Sequence, residues 1–225
     1  MSPYILLASA LVLLSIVAWL WEAGETRGDP ARLLMVWLAF SAVTAIIAAA
    51  GIWIEDASVS LSFTAVARIL LMVVVFLLFL FTRSFSVQTD YTILFWSVPL
   101  QLGMAMIMVN WQHMFARSGG FWVMDTGDPA AIVVITVSWF YGVLALVYAV
   151  VLYLTLRREG REKEKGRTLL MIAALAVLFV SGSIRTTISG ASSYIVSTVY
   201  LGYLAGVLML VWAIRGPRLT RPTER

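Results

Sequence analysis

From Ile69 to Phe81 the chain carries no charged, amide or hydroxyl side chain. Such a run has no place on the surface of a water-soluble domain, and it recurs. Seven apolar runs can be read, at 3–21, 32–54, 61–82, 92–116, 129–156, 168–188 and 193–214. About 20 apolar residues, rising 1.5 Å each as a helix, match the roughly 30 Å hydrocarbon layer of a bilayer. Only 12% of the residues are charged, against about 25% in ordinary domains. A transmembrane β-barrel would need alternating apolar and polar positions, which Ile69–Phe81 does not show. The expected fold class is therefore an all-α membrane protein, a seven-transmembrane helix bundle. It would fill residues 1–215 and leave 216–225 as a short basic cytoplasmic tail.

The first run is expected to be a retained helix rather than a secretion signal. No Lys or Arg precedes Arg27, and the run ends in Trp19-Leu20-Trp21, an interfacial aromatic anchor rather than a small-residue cleavage site. Basic residues collect on alternate connections: Arg27 and Arg32, then Arg83, then Arg157 to Arg167, then Arg215, Arg218, Arg221 and Arg225. The opposite connections hold Arg117 and, near a helix end, Arg185. Cytoplasmic loops are the Lys- and Arg-rich ones, so the expected orientation is N-terminus outside and C-terminus inside, in the cell membrane. The fifth connection, Arg157-Arg158-Glu159-Gly160-Arg161-Glu162-Lys163-Glu164-Lys165-Gly166-Arg167, alternates in sign. It reads as a solvated, topology-setting turn, with contact to anionic lipid or a cytoplasmic partner as the other reading. The net charge of +4 follows from these helix ends and gives no reason to expect nucleic-acid binding.

Ionisable groups within membrane helices mark structural ion pairs or sites. Here they are few: Glu55 and Asp56 at the end of the second run, Arg68 two turns into the third, Asn110 and His113 late in the fourth, and Arg185 late in the sixth. Helical spacing places Ser41, Thr44, Ala48 and Glu55 near one face of the second helix. Pro99, Gly103, Met106, Asn110 and His113 share a face of the fourth, and Ser181 and Arg185 one of the sixth. These faces are expected to converge at the outer end of the bundle axis, because small and polar residues turn toward neighbouring helices. Two readings stand for Arg68: an ion pair with Glu55 or Asp56, or an anion-binding fork. The same pair of readings stands for Arg185. Asn110 is expected as an interhelical donor, or with Arg68, His113, Arg185 and Tyr194 as part of a ligand site. His113 is otherwise a solvated helix-end group. Tyr194, Tyr200 and Tyr203 either line a pocket or simply pack, and Met104, Met106 and Met108 suggest a deformable interior. Pro99 removes a backbone bond in mid-helix and is a candidate hinge. Gly202 and Gly206 form a small-xxx-small pair for close helix packing, within the bundle or in a homodimer.

Several chemistries are missing their residues. There is no cysteine, so disulfides and thiolate sites are excluded. Both lysines, Lys163 and Lys165, lie in a connection, so no Schiff-base lysine sits in the membrane. One histidine cannot make a His-Glu-x-x-His site, and no metal site or cofactor is expected. No pair of aspartates lies within a helix, and no serine lies beside a base. Midplane acids and internal repeats, the marks of coupled transporters, are not seen. No enzymatic activity is expected.

From the fourth run onward the chain resembles the seven-transmembrane N-terminal sensor region of bacterial and archaeal histidine kinases. The resemblance rests on Val98-Pro99-Leu100, on Val109-Asn110-Trp111-Gln112-His113-Met114-Phe115, on Ser138-Trp139-Phe140-Tyr141 and on the charged connection before Leu169-Leu170. It covers about half of the chain, and the third run, uniform in Val, Leu and Phe, departs from the pattern. The resemblance implies an input module that senses an extracellular or membrane signal for a cytoplasmic kinase. The tail after Ile214 carries no phosphoacceptor histidine and two prolines, Pro217 and Pro222. The expectation is a receptor-like sensor that reads an unknown small ligand or a property of the lipid bilayer and signals to a cytoplasmic partner. A non-catalytic structural or assembly subunit is the alternative, and a small transporter the third.

Overall fold

The computed structural model describes residues 3–22, 29–85, 92–118, 121–187 and 193–214, without the side chains at 29, 118, 121, 184–187 and 193–197. Seven helices run through it: α1 (Pro3–Glu22), α2 (Asp29–Trp53), α3 (Ala57–Arg83), α4 (Thr92–Asn110), α5 (Pro129–Arg158), α6 (Glu162–Thr187) and α7 (Ser193–Ile214). Six of them, α1 to α6, are long and apolar enough to cross a membrane, and α7 adds a shorter apolar stretch, Thr198–Ile214. The chain is a multi-pass membrane bundle. Apart from Arg68, its charges gather in the connections and the end turns of the helices, and its apolar runs lie within the helices, as a solvent without water requires.

Between α4 and α5 stands a feature the hydropathy pattern conceals. The fourth apolar run was expected to continue as helix to 116, but α4 ends at Asn110. There the main chain turns, with the amides of His113 and Met114 both donating to the Asn110 carbonyl. A two-stranded antiparallel hairpin follows, β1 (Phe115–Ser118) and β2 (Phe121–Met124), with Phe115 opposite Met124 and Arg117 opposite Trp122. The run is apolar enough for either structure, and its alternation of Phe115, Arg117 and then Trp122, Met124 suits a strand pair whose inner face packs on the helix ends. Asp128 then caps α5, its carboxylate accepting from the amides of Ala130 and Ala131 with Pro129 in the first helical position.

Packing sorts the helices into a ring and an outlier. Neighbours around the ring are α1, α2, α3, α5, α6 and α7, and the circuit closes through a thinner α7–α1 seam. At that seam Leu6, Ala49 and Tyr200 form a small buried cluster. Helix α4 lies outside, against α3 and α5, with Leu94, Phe95 and Val109 turned outward. It is fixed there by Tyr141 of α5. Pro99 interrupts the backbone ladder of α4, and the Tyr141 hydroxyl enters the break, accepting from the Leu100 amide at 2.9 Å and donating to the Trp96 carbonyl at 2.6 Å. Those two groups would otherwise bond each other across one helical turn, so the tyrosine stands in for a helix bond. Phe76, Phe79 and Phe140 pack around its ring.

The glycine pair of α7 packs inside the bundle. A Cβ on Gly206 would come within 2.9 Å of Leu178 Cγ, and one on Gly202 within 2.8 Å of Ser181 Oγ, both on α6. Arg83 was counted with the charges of a connection, yet it is buried at the end of α3 and donates to Thr92 at the start of α4. In the α5–α6 turn Gly160 takes a φ of 71°. The alternating charges around it pair with each other, Arg161 with Glu159 and Glu164, and Lys165 with Glu162.

Candidate functional site

Inside the ring lies a cavity of about 150 Å³, bordered by α1, α2, α3, α5, α6 and α7. Its walls follow from the residues that face the axis. Apolar side chains such as Leu13, Val74 and Leu178 alternate with short hydroxyl side chains and Gly142, too small to fill the space between six helices. The hydroxyls carry their own solution to burial. Ser9, Ser41, Thr44 and Ser138 each donate to the carbonyl one turn back, at 2.7–2.9 Å. Their protons are thereby satisfied, and their oxygens remain as acceptors toward the cavity side of each helix.

The Trp37 indole differs. Trp37 lines the cavity and is 1% exposed, and its indole Nε1–H has no hydrogen-bond partner. A buried donor left unmade costs about 1–3 kcal/mol. Trp37 and Ser41 stand one turn apart on α2, with Thr44 and Ala45 continuing the same face. The indole nitrogen itself is fully enclosed by protein, so its unmade bond is a packing cost rather than a donor offered to the cavity. No Asp, Glu, Lys, Arg or His is among the described residues that line the cavity. On the α5–α6 side, Trp139 stacks edge-on to Phe179 at 5.7 Å, and Gly142 leaves the space that the Phe179 ring occupies, 2.6 Å from where a Cβ would stand.

The residues singled out by charge lie elsewhere. Asp56 is the N-cap of α3, its carboxylate accepting from the Ser58 hydroxyl and the Ser58 and Val59 amides. These bonds, the Ser58 hydroxyl foremost, hold its pKa below the usual 3.8. Glu55 is exposed in the same turn. Arg68 is half-buried on α3, about three turns in rather than two. The rise from Asp56 to Arg68 is roughly 18 Å, farther than an arginine side chain extends, so the two do not form the expected ion pair. Arg68 falls one turn before the cavity-lining Leu71 on the same strip of α3. Asn110 is not an interhelical donor: its side-chain amide donates to the Met106 carbonyl of its own helix at 3.2 Å. His113 is exposed in the turn after α4 and shares no helical face with Pro99. The polar face of α4 meets α3 and α5, where a Cβ on Gly103 would run into the Met72 side chain, and does not reach the bundle axis.

The side chains of Arg185 and Tyr194, and the tail 216–225, lie outside the described residues. Among the described residues no three His, Cys, Asp or Glu side chains gather as a metal site would need. Ser41, Thr44, Ser181, Tyr200 and Tyr203, read from helical spacing or as pocket candidates, do line the cavity. Ser9, Trp37 and Ser138 were passed over because each is a single polar group inside an apolar run. That isolation was itself the available signal.

Comparison with protein-family models, with curated proteins and with solved structures finds no match.

Proposed function

We propose that the protein is a non-enzymatic, receptor-like sensor module of the cell membrane. Its seven helices would run N-terminus outside to C-terminus inside, and it would pass its signal to a cytoplasmic partner. The observation that carries this reading is the cavity: six helices from both ends of the chain meet around one space with no charged residue among its described lining. An occupant there touches helices on either side of the α1–α7 seam, and it shifts any equilibrium between two arrangements that it fits unequally. The resemblance of its short motifs to those of kinase sensor regions supports the same reading, as do the basic residues of the α5–α6 turn, which suit a cytoplasmic contact surface.

The chain lacks cysteine, so spin labels can be placed cleanly at Arg32→Cys and Arg158→Cys, both exposed at the basic end of the bundle. Ser138→Phe serves as a built-in occupant. The expected result is a distance distribution with two populations whose ratio changes when the cavity is filled. A single distribution, the same with and without Ser138→Phe, overturns the sensor reading.

A further inference from the structure

We propose that the outward face of α4 is the contact through which two copies of this chain associate side by side in the membrane, with Gln101 pairing to its counterpart in the second copy. The contact is independent of the cavity and of the sensor reading.

Gln101 sits in the wrong solvent for its chemistry. It lies midway along α4, which places it near the middle of the bilayer, and its side chain is exposed. Leu100, Gly103 and Ile107 are the buried residues of that helix, on the opposite side. A carboxamide offers two N–H donors and an acceptor oxygen. One N–H donates to Ser97 Oγ at 3.1 Å, and the Ser97 hydroxyl has given its own proton to the Leu94 carbonyl at 2.8 Å. Among the described residues the Gln101 side chain makes no other hydrogen bond. Its second N–H and its oxygen therefore face hydrocarbon, where no water can take them. The exposed hydroxyls of Ser15 and Thr155 differ, since each donates to the carbonyl one turn back and leaves no donor open.

Two features name the occupant. A carboxamide is its own complement: about a two-fold axis, donor and acceptor on one copy meet acceptor and donor on the other. Every copy of the chain inserts in the same direction, so that axis runs along the bilayer normal. Helix α4 then meets its counterpart in parallel, with both Gln101 side chains at one depth. A different membrane protein would need an amide at that depth by a separate coincidence of sequence. The second feature is spacing. Leu94, Val98, Gln101, Ala105 and Met108 are all exposed and recur at alternate steps of four and three. That is the seam of two helices in a left-handed supercoil, a common crossing in membranes. A lone polar group within such a seam fixes its register. Because α4 stands outside the ring, the stripe lies on the perimeter of the bundle.

The chain has no cysteine of its own, so single cysteines report the contact in lipid vesicles. Val98→Cys and Ala105→Cys, on the stripe, are expected to form covalent dimers on mild oxidation. Phe95→Cys, on the flank of the same helix, and Leu11→Cys, exposed midway along α1, are expected to form few. Fluorescence transfer between chains labelled at Arg158→Cys then follows dissociation as the vesicles are diluted with lipid. Gln101→Leu is expected to raise the dimer dissociation constant roughly tenfold, the worth of hydrogen bonding between membrane helices, with helicity unchanged. The cysteine series keeps Gln101 and decides the geometry even if Gln101→Leu does not fold. Equal cross-linking at all four cysteines, cross-linking through α1 in place of α4, a dissociation constant unmoved by Gln101→Leu, or a monomer at every lipid ratio would each overturn the proposal. Cross-linking of Ala105→Cys in native membranes only to a different polypeptide would also overturn it and assign the face to that partner.

Discussion

Single side chains fix the two ends of the argument, one inside the bilayer and one at its edge. Tyr141 replaces the hydrogen bond that Pro99 and the local bend deny to α4, joining the Leu100 amide to the Trp96 carbonyl. Removing only its oxygen in Tyr141→Phe is expected to destabilise the protein by about 1–3 kcal/mol, read by denaturation in mixed micelles. The Leu100 amide should also exchange with solvent deuterium faster than its neighbours in α4. A variant of unchanged stability and unchanged exchange would mean that Leu100 and Trp96 close the turn by themselves. Asp56 works in water. Its carboxyl is bound in the folded state and its pKa depressed, so its contribution is present above the ordinary carboxylate value and is lost as pH falls through the lower, folded value. Below about pH 4, the ordinary carboxyl value of 3.8 being the upper edge of the window, the first turn of α3 should fray, with faster exchange at the Ser58 and Val59 amides. Asp56→Ala should show the frayed behaviour at neutral pH and no further acid step.

At the scale of elements, the helices were legible and the hairpin was not. Seven runs were legible because lipid demands unbroken apolar stretches, and the observed helices fall within a few residues of them, apart from α6, which starts six residues early within the charged Glu162–Arg167, and α4, which stops six residues early. Periodicity misled at the same place. It put His113 on the Pro99 face by assuming that the helix ran on, and no proline or glycine near Asn110 signalled the turn. Charge misled in another way: Arg83 and Arg68 were read by where Arg usually sits, whereas depth along α3 decides their partners. The cavity was half legible, since Ser41, Thr44 and Ser181 share helical faces, but Trp37 is indistinguishable from core packing without its neighbours. The α6–α7 contact gives an element-level test. Gly206→Val would place a branched side chain where even a Cβ lies 2.9 Å from Leu178 and 3.3 Å from the Ala174 carbonyl. The backbone oxygen cannot move aside, so α7 must shift, at a cost of about 1–3 kcal/mol measured by denaturation. Gly182→Val on α6, where a Cβ meets nothing within 4 Å, should leave stability unchanged. Equal losses in the two variants would show that helix propensity rather than contact governs both.

For the molecule as a whole, a ring of six with a seventh helix outside separates stability from binding. Leu6 and Ile107 are both fully buried, 0% exposed, and truncating either removes packing atoms worth about 2–5 kcal/mol. Leu6 belongs to the cluster that closes the ring at its thinnest seam, beside Tyr200, which also lines the cavity. Ile107 holds α4 against the outside of that ring. If the cavity exists only when the ring is closed, its apparent affinity is the intrinsic affinity scaled by the closed fraction. Leu6→Ala should therefore weaken binding of benzene, a guest sized for a space of about 150 Å³, severalfold at a temperature where most of the protein stays helical. Ile107→Ala, at a similar loss of overall stability, should bind benzene as the wild-type protein does. The comparison is read by titrating both variants at the same temperature with helicity followed in parallel. Equal weakening in the two would mean that α4 belongs to the binding unit, and that the bundle responds as seven helices rather than as six enclosing a site.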